Sequence, residues 1–166
     1  MKKKAIYPGT FDPITYGHLD ILKKATKIFN FIIVAVFEDS DKKTLFNIKE
    51  RIKLIKQATY KFKDITKIIS FKSLLVHITQ TEKTNYIIRG IRTSLDFEYE
   101  LKMFTINKKL APNLENILFF PSPKFACISS SLIKEIVKYG GNAKDYIPKL
   151  VQNALLKKYK KVKYYK

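Results

Sequence analysis

The chain has 166 residues, with 33 Lys and Arg against 14 Asp and Glu, a formal charge of +19, 46% apolar residues and a single cysteine, Cys127. That apolar fraction excludes a disordered chain, and a domain of this length buries enough surface to fold without covalent staples. One cysteine excludes an internal disulfide framework and argues against a cysteine-based zinc site, and no apolar run approaches the roughly 18 residues that span a bilayer.

After the basic Met1–Lys4 come only Ala5-Ile6-Tyr7 before Pro8-Gly9, too short for a signal-peptide core. A soluble, single-domain protein of a reducing compartment is expected. Of the 33 cations, 30 are Lys and 3 are Arg, and the chain also holds 22 Ile. The lysines occur in every segment and form no stripe, so they read as composition bias and not as a nucleic-acid footprint. The charge nonetheless favours anionic ligands.

Ala5-Ile6-Tyr7 predicts a first strand, followed by a loop holding Pro8, Gly9 and Pro13. A helix follows from about Gly17, with Leu19, Leu22 and Ile28 at helical spacing. Phe31 to Phe37 is an uninterrupted apolar run rich in β-branched residues, the pattern of a strand buried on both faces. Glu38 to Thr44 reads as a loop. Ile48, Ile52, Ile55 and Ala58 mark a second amphipathic helix. Ile65 to Phe71 predicts a third strand, Leu74 to Thr79 a short helix, and Tyr86-Ile87-Ile88 a fourth strand ending at Arg89-Gly90.

A long helix through Phe97, Leu101 and Phe104 is stopped by Ala111-Pro112-Asn113. Ile117 to Phe120 is a fifth strand. Ser130 to Tyr139 is a helix closed by Gly140-Gly141. The last helix opens near Pro148, with Leu150, Val151, Ala154 and Leu155 on one face. Lys157 to Lys166 reads as a basic, solvated end. This alternation predicts an α/β, doubly wound, Rossmann-like domain: a five-stranded parallel sheet with helices on both faces, binding ligands at the strands' carboxyl ends.

The five glycines form no G-x-G-x-x-G, and no Gly-Lys pair exists for a Walker loop. H-E-x-x-H and G-x-S-x-G are also absent. Other phosphate devices are present. Thr10-Phe11-Asp12-Pro13-Ile14-Thr15-Tyr16-Gly17-His18 leaves the first strand and opens the first helix. Helix-start N–H groups favour anions there, Gly17 admits close approach, and Thr15 and His18 share a helix face. The imidazole of His18 can donate to phosphate.

Arg89-Gly90-Ile91-Arg92 leaves the fourth strand and carries two of the three arginines, whose planar forks suit phosphate better than lysine does. Gly90 suggests close approach of backbone to a ligand. Ser129-Ser130-Ser131 opens a helix with more hydroxyls than a cap requires. Asp41-Lys42-Lys43 follows the second strand. His77 and Cys127 read as structural residues of ordinary segments.

Together these segments, with Asp96-Phe97-Glu98-Tyr99-Glu100, resemble the nucleotidyltransferases of the T/H-x-G-H superfamily, and among them the bacterial phosphopantetheine adenylyltransferases, over roughly residues 3 to 157. The resemblance implies a nucleotidyltransferase domain over residues 1–158 and a basic tail over 159–166. It implies transfer of AMP from ATP to 4′-phosphopantetheine, giving dephospho-coenzyme A and pyrophosphate. It further implies a cytoplasmic homohexamer, magnesium carried with ATP, coenzyme A as a feedback inhibitor, and neither nucleic acid nor membrane as partner.

Carried over residue by residue, the family's motifs put ATP at Thr10, Phe11, His18, Gly90, Ile91, Arg92, Glu100, Phe125, Ala126, Cys127, Ile128, Ser129, Ser130 and Ser131. They put the acceptor at Thr10, Lys42, Leu75 and Arg89, with Ser73 where the family often has Asp or Gly. His18, Thr10, Lys42 and Arg92 take the catalytic roles, and no residue is expected to ligate a metal. The acceptor phosphate is already an anion, so orientation and charge stabilisation suffice, with no general base or covalent intermediate. The alternatives are another T/H-x-G-H enzyme with a nicotinate mononucleotide or phosphoglycerol acceptor, and a basic nucleic-acid-binding module.

Overall fold

The computed structural model describes residues 3–38 and 43–160. β1 (Lys4–Gly9), β2 (Phe31–Phe37), β3 (Thr66–Phe71), β4 (Tyr86–Gly90) and β5 (Glu115–Phe119) form one parallel sheet in the order β3-β2-β1-β4-β5. Between and after them run α1 (Tyr16–Ala25), α2 (Ile48–Ala58), α3 (Leu75–Thr81), α4 (Ser94–Leu110), α5 (Ser130–Lys138) and α6 (Lys149–Lys160). The expected Rossmann-like α/β architecture is what forms.

The uninterrupted apolar strands explain why helices cover both faces. Tyr7, Val34 and Ile88 face Leu22 of α1, Ile55 of α2, Ile133 of α5 and Val151 of α6. On the opposite face Ile6, Ile33 and Ala35 meet Leu75 and Ile78 of α3. Ile33 and Ile87 are fully buried, and each such side chain stabilises the fold by roughly 1.5–3 kcal/mol. The second face is thinly covered. Of α4, only Asn107 is buried, while Leu95, Leu101, Ile106 and Leu110 are exposed.

Several boundaries differ from the sequence reading. Pro8 and Gly9 belong to β1 and not to the following loop. Proline lacks the N–H a ladder uses, but β4 registers with β1 at Ile6 opposite Ile87, and β2 alone continues alongside to Gly9 opposite Val36. α1 starts at Tyr16 and ends at Ala25, so Ile28 lies beyond it and is 49% exposed. Ile65 closes a 3₁₀ helix (Tyr60–Ile65) in place of opening β3. α3 begins at Leu75, after an exposed Leu74, and runs to Thr81. β5 ends at Phe119, leaving Phe120 69% exposed, and Tyr139 is the C-cap of α5. α6 continues through the expected tail boundary to Lys160, and Tyr159 packs against the core.

Candidate active site

β1 and β4 are neighbours in space, and the chain leaves them in opposite directions, so the sheet's switch point lies between them. A cleft of about 550 Å³ opens there. Thr10, Phe11, Gly17, His18, Arg89, Gly90, Arg92, Glu100, Phe125 and Ser129 to Ser131 all line it, as does Ile128. Leu75, Ile91, Ala126 and Cys127 are not brought into it: Leu75 packs beneath the sheet, Ile91 is buried beside it, and Cys127 is exposed on a loop. Asp41 and Lys42 lie outside the described residues; Lys43 lines the cleft.

The turn after β1 is held rigidly. Phe11 takes φ 49°, an uncommon left-handed conformation for a non-glycine residue, and its ring stands edge-on to Tyr7 at 5.4 Å and to His18 at 5.0 Å. Asp12, buried, accepts from the N–H of Leu45 and of Phe46, each at 2.9 Å, and from Lys134 Nζ at 2.8 Å. One carboxylate thereby ties the β1 turn to the segment before α2 and to α5. Arg51, the third arginine, is buried under this turn and donates through one nitrogen to Thr10 O at 2.7 Å and Phe37 O at 2.8 Å. The sequence reading assigns no role of their own to Asp12, Arg51 or Lys134.

Thr15 and His18 cap α1 reciprocally. The Thr15 N–H donates to His18 Nδ1 at 3.0 Å, and the His18 N–H to Thr15 Oγ1 at 3.4 Å. Histidine thus stands where a capping box uses Glu or Gln. A ring nitrogen that accepts carries no proton, so the neutral imidazole keeps its hydrogen on Nε2, the donor left to the cleft. Burial, and secondarily the charge of Arg92, lowers the His18 pKa to about 4, so the ring is neutral at physiological pH. Capping and donation are therefore served by the two ends of one ring.

On the β4 side, each arginine meets a carboxylate of α4. Arg89 Nε lies 2.9 Å from Glu100 Oε2, an ion pair outside hydrogen-bond alignment. Burial raises the Glu100 carboxyl above its usual range, and the charge of Arg89 partly offsets that. Arg92 donates from Nε to Asp96 at 3.1 Å and from another nitrogen to Ile128 O at 3.0 Å. A Cβ on Gly90 would press on Ile21 at 3.3 Å, so the packing of β4 against α1 already accounts for this glycine. One on Gly17 would meet Phe125 at an ordinary 3.8 Å. Ser129 caps α5 through the Leu132 N–H, and Ser130 donates to Pro13 O at 2.7 Å.

A capped, neutral histidine and two arginines facing one cleft at the carboxyl edge of a doubly wound sheet define a nucleotidyltransferase-like α/β protein. Residues 6–136 match the model of the cytidylyltransferase-like family. The chain is 55% identical over 162 residues to phosphopantetheine adenylyltransferase of Buchnera aphidicola from Schizaphis graminum, covering 98% of each chain. It is 45% identical to that of Caldanaerobacter subterraneus, over 95% of this chain and 98% of the relative. A candidate nicotinate-nucleotide adenylyltransferase from Vibrio parahaemolyticus shares the fold with a TM-score of 0.71 at 16% identity, over 95% of this chain and 93% of that one. The chain belongs to the phosphopantetheine adenylyltransferase family.

Proposed function

We propose that the chain transfers the adenylyl group of ATP to 4′-phosphopantetheine, giving dephospho-coenzyme A and pyrophosphate, the penultimate step of coenzyme A synthesis. The observation that carries this reading is the near-full-length relationship to phosphopantetheine adenylyltransferases, in a chain whose cleft gathers His18, Arg89 and Arg92. An oxygen of the acceptor phosphate attacks the α-phosphorus of ATP. The bond from that phosphorus to the bridging oxygen breaks, and the electron pair leaves with pyrophosphate.

Two polyanions must be brought together, so the residues work by orientation and charge. His18 donates from Nε2 to the α-phosphate, with Arg92, Thr10 and Lys42 adding positive or donor character. Glu100, Phe125 and Ile128 to Ser131 hold the nucleotide, and Arg89 takes the acceptor phosphate.

Magnesium is assigned to the ATP substrate. Among the described residues no three His, Cys, Asp or Glu side chains gather as a metal site, and no step is routed through the ion. Assembly with further copies, a hexamer in the family's manner, is supported by the apolar side chains that α4 leaves exposed. No helix of the described residues is long and apolar enough to cross a membrane, and a cytoplasmic location follows from the reaction. Feedback by coenzyme A and indifference to nucleic acid complete the reading. Pyrophosphate release with ATP and 4′-phosphopantetheine tests it. Faster release with nicotinate mononucleotide in place of the acceptor would overturn it.

A further inference from the structure

The loop from β5 to α5 is docked along one stripe of α1. Residues four apart on a helix share a face, and the stripe Tyr16, Asp20, Lys24 meets the loop in reverse order. The Tyr16 ring lies 6.1 Å from that of Phe125. The Asp20 carboxylate accepts from the Ser122 N–H at 2.7 Å and from its hydroxyl at 2.9 Å. Lys24 Nζ lies 2.9 Å from Asp20 and donates to Phe120 O at 2.7 Å. The Asp20 side chain is 15% exposed. Burial alone would raise its pKa, but the donors of Lys24 and Ser122 outweigh that and hold it below the usual carboxylate range. His18, on the same helix, faces the cleft, and Phe125 and Ile128 of the loop line the cleft opposite.

We infer that Asp20 is a positioning residue: it fixes the 120–128 loop at a set distance from His18, and so sets nucleotide affinity without touching the nucleotide. This rests on the reading that the loop takes ATP. Arg92 holds the far end of the loop at Ile128 O, so the near end depends on the α1 stripe. A loop released there keeps its sequence but must be ordered again before it takes the nucleotide, a cost that falls on binding. The acceptor side, on β4, is not tied to this stripe.

Asp20→Ala, which removes both Ser122 contacts and the Lys24 pair, should raise the KM for ATP by about tenfold, with kcat and the acceptor KM changed by less than about threefold. Cys127, the chain's one cysteine and exposed in this loop, supplies a readout independent of turnover. Its alkylation rate should rise severalfold in Asp20→Ala. Ser122→Ala, which removes the hydroxyl and keeps the N–H contact, should move both quantities the same way by a smaller factor, and it serves if Asp20→Ala does not fold.

An unchanged alkylation rate, or equal rises in both KM values, would overturn the inference. A wild-type protein whose melting temperature α,β-methylene-ATP does not raise and which releases no pyrophosphate would instead count against the proposed reaction, while the alkylation comparison would still report on the clamp.

Discussion

Replacing His18 separates its two functions. In His18→Ala the buried Thr15 N–H loses its acceptor, a cost of about 1–3 kcal/mol. The edge contact with Phe11 also goes, at about 0.5–1.5 kcal/mol. Together these amount to about 1.5–4.5 kcal/mol, or roughly 3–18 °C in melting temperature for a chain of this size. Loss of the Nε2 donor should lower kcat by about 10²–10³, the usual effect of removing one donor to a developing charge. In His18→Gln a residue that suits a capping box restores an acceptor for Thr15 but supplies no imidazole. Its melting temperature should recover at least half of the loss, while kcat stays about a hundredfold down. Thermal melts and single-turnover kinetics on the same preparations read both quantities. If kcat recovers in step with the melting temperature in His18→Gln, the ring is a cap alone and the donor argument fails.

Arg89→Lys keeps the charge but loses the fork, so the acceptor KM should rise more than the ATP KM; equal rises in steady-state assays would place Arg89 elsewhere. The His18 ring, followed by NMR, should titrate near pH 4, and a midpoint above 6 would contradict the buried, capped geometry. With a folded pKa below the unfolded 6.5, the unfolded chain binds the proton first. Stability from this group is therefore complete above about pH 6.5 and lost as pH falls toward 4, which urea melts across that window measure. Truncation after Lys158 removes Tyr159 from its packing and should melt several degrees below truncation after Lys160, whereas equal melting would show that Tyr159 contributes nothing.

The site was legible where its chemistry is local. Thr15 and His18 are three apart, and Arg89 to Arg92 leave one strand, so a motif and an element order suffice to bring them to one edge. Asp12 and Lys134 are 122 positions apart, and Asp20 and Ser122 are 102 apart. Such partners are chosen by topology, and an aspartate facing a lysine across the fold has no signature in the chain. Arg51 stands among lysines on an amphipathic helix, with no local signature to mark it; its burial follows from the turn that sits over it. Element ends are hard to read where apolar residues stand outside the core: Ile28 and Phe120 continue the apolar pattern beyond the ends of α1 and β5, and α4 carries apolar side chains that the described residues leave exposed.

The ladder between β1 and β4 has its register at Ile6 opposite Ile87, whereas β1 follows β2 from Lys4 opposite Phe31 to Gly9 opposite Val36, and β4 follows β5 from Tyr86 to Gly90. The strand order reverses at this junction, and the cleft opens over it. His18 belongs to one side and the arginine fork to the other. A ligand gripped from both sides acts as mortar: it binds only the closed joint, so its binding energy adds to the pairing of β1 with β4. Amide exchange at Ile6 and Ile87 accordingly measures occupancy of the cleft as much as it measures stability of the sheet.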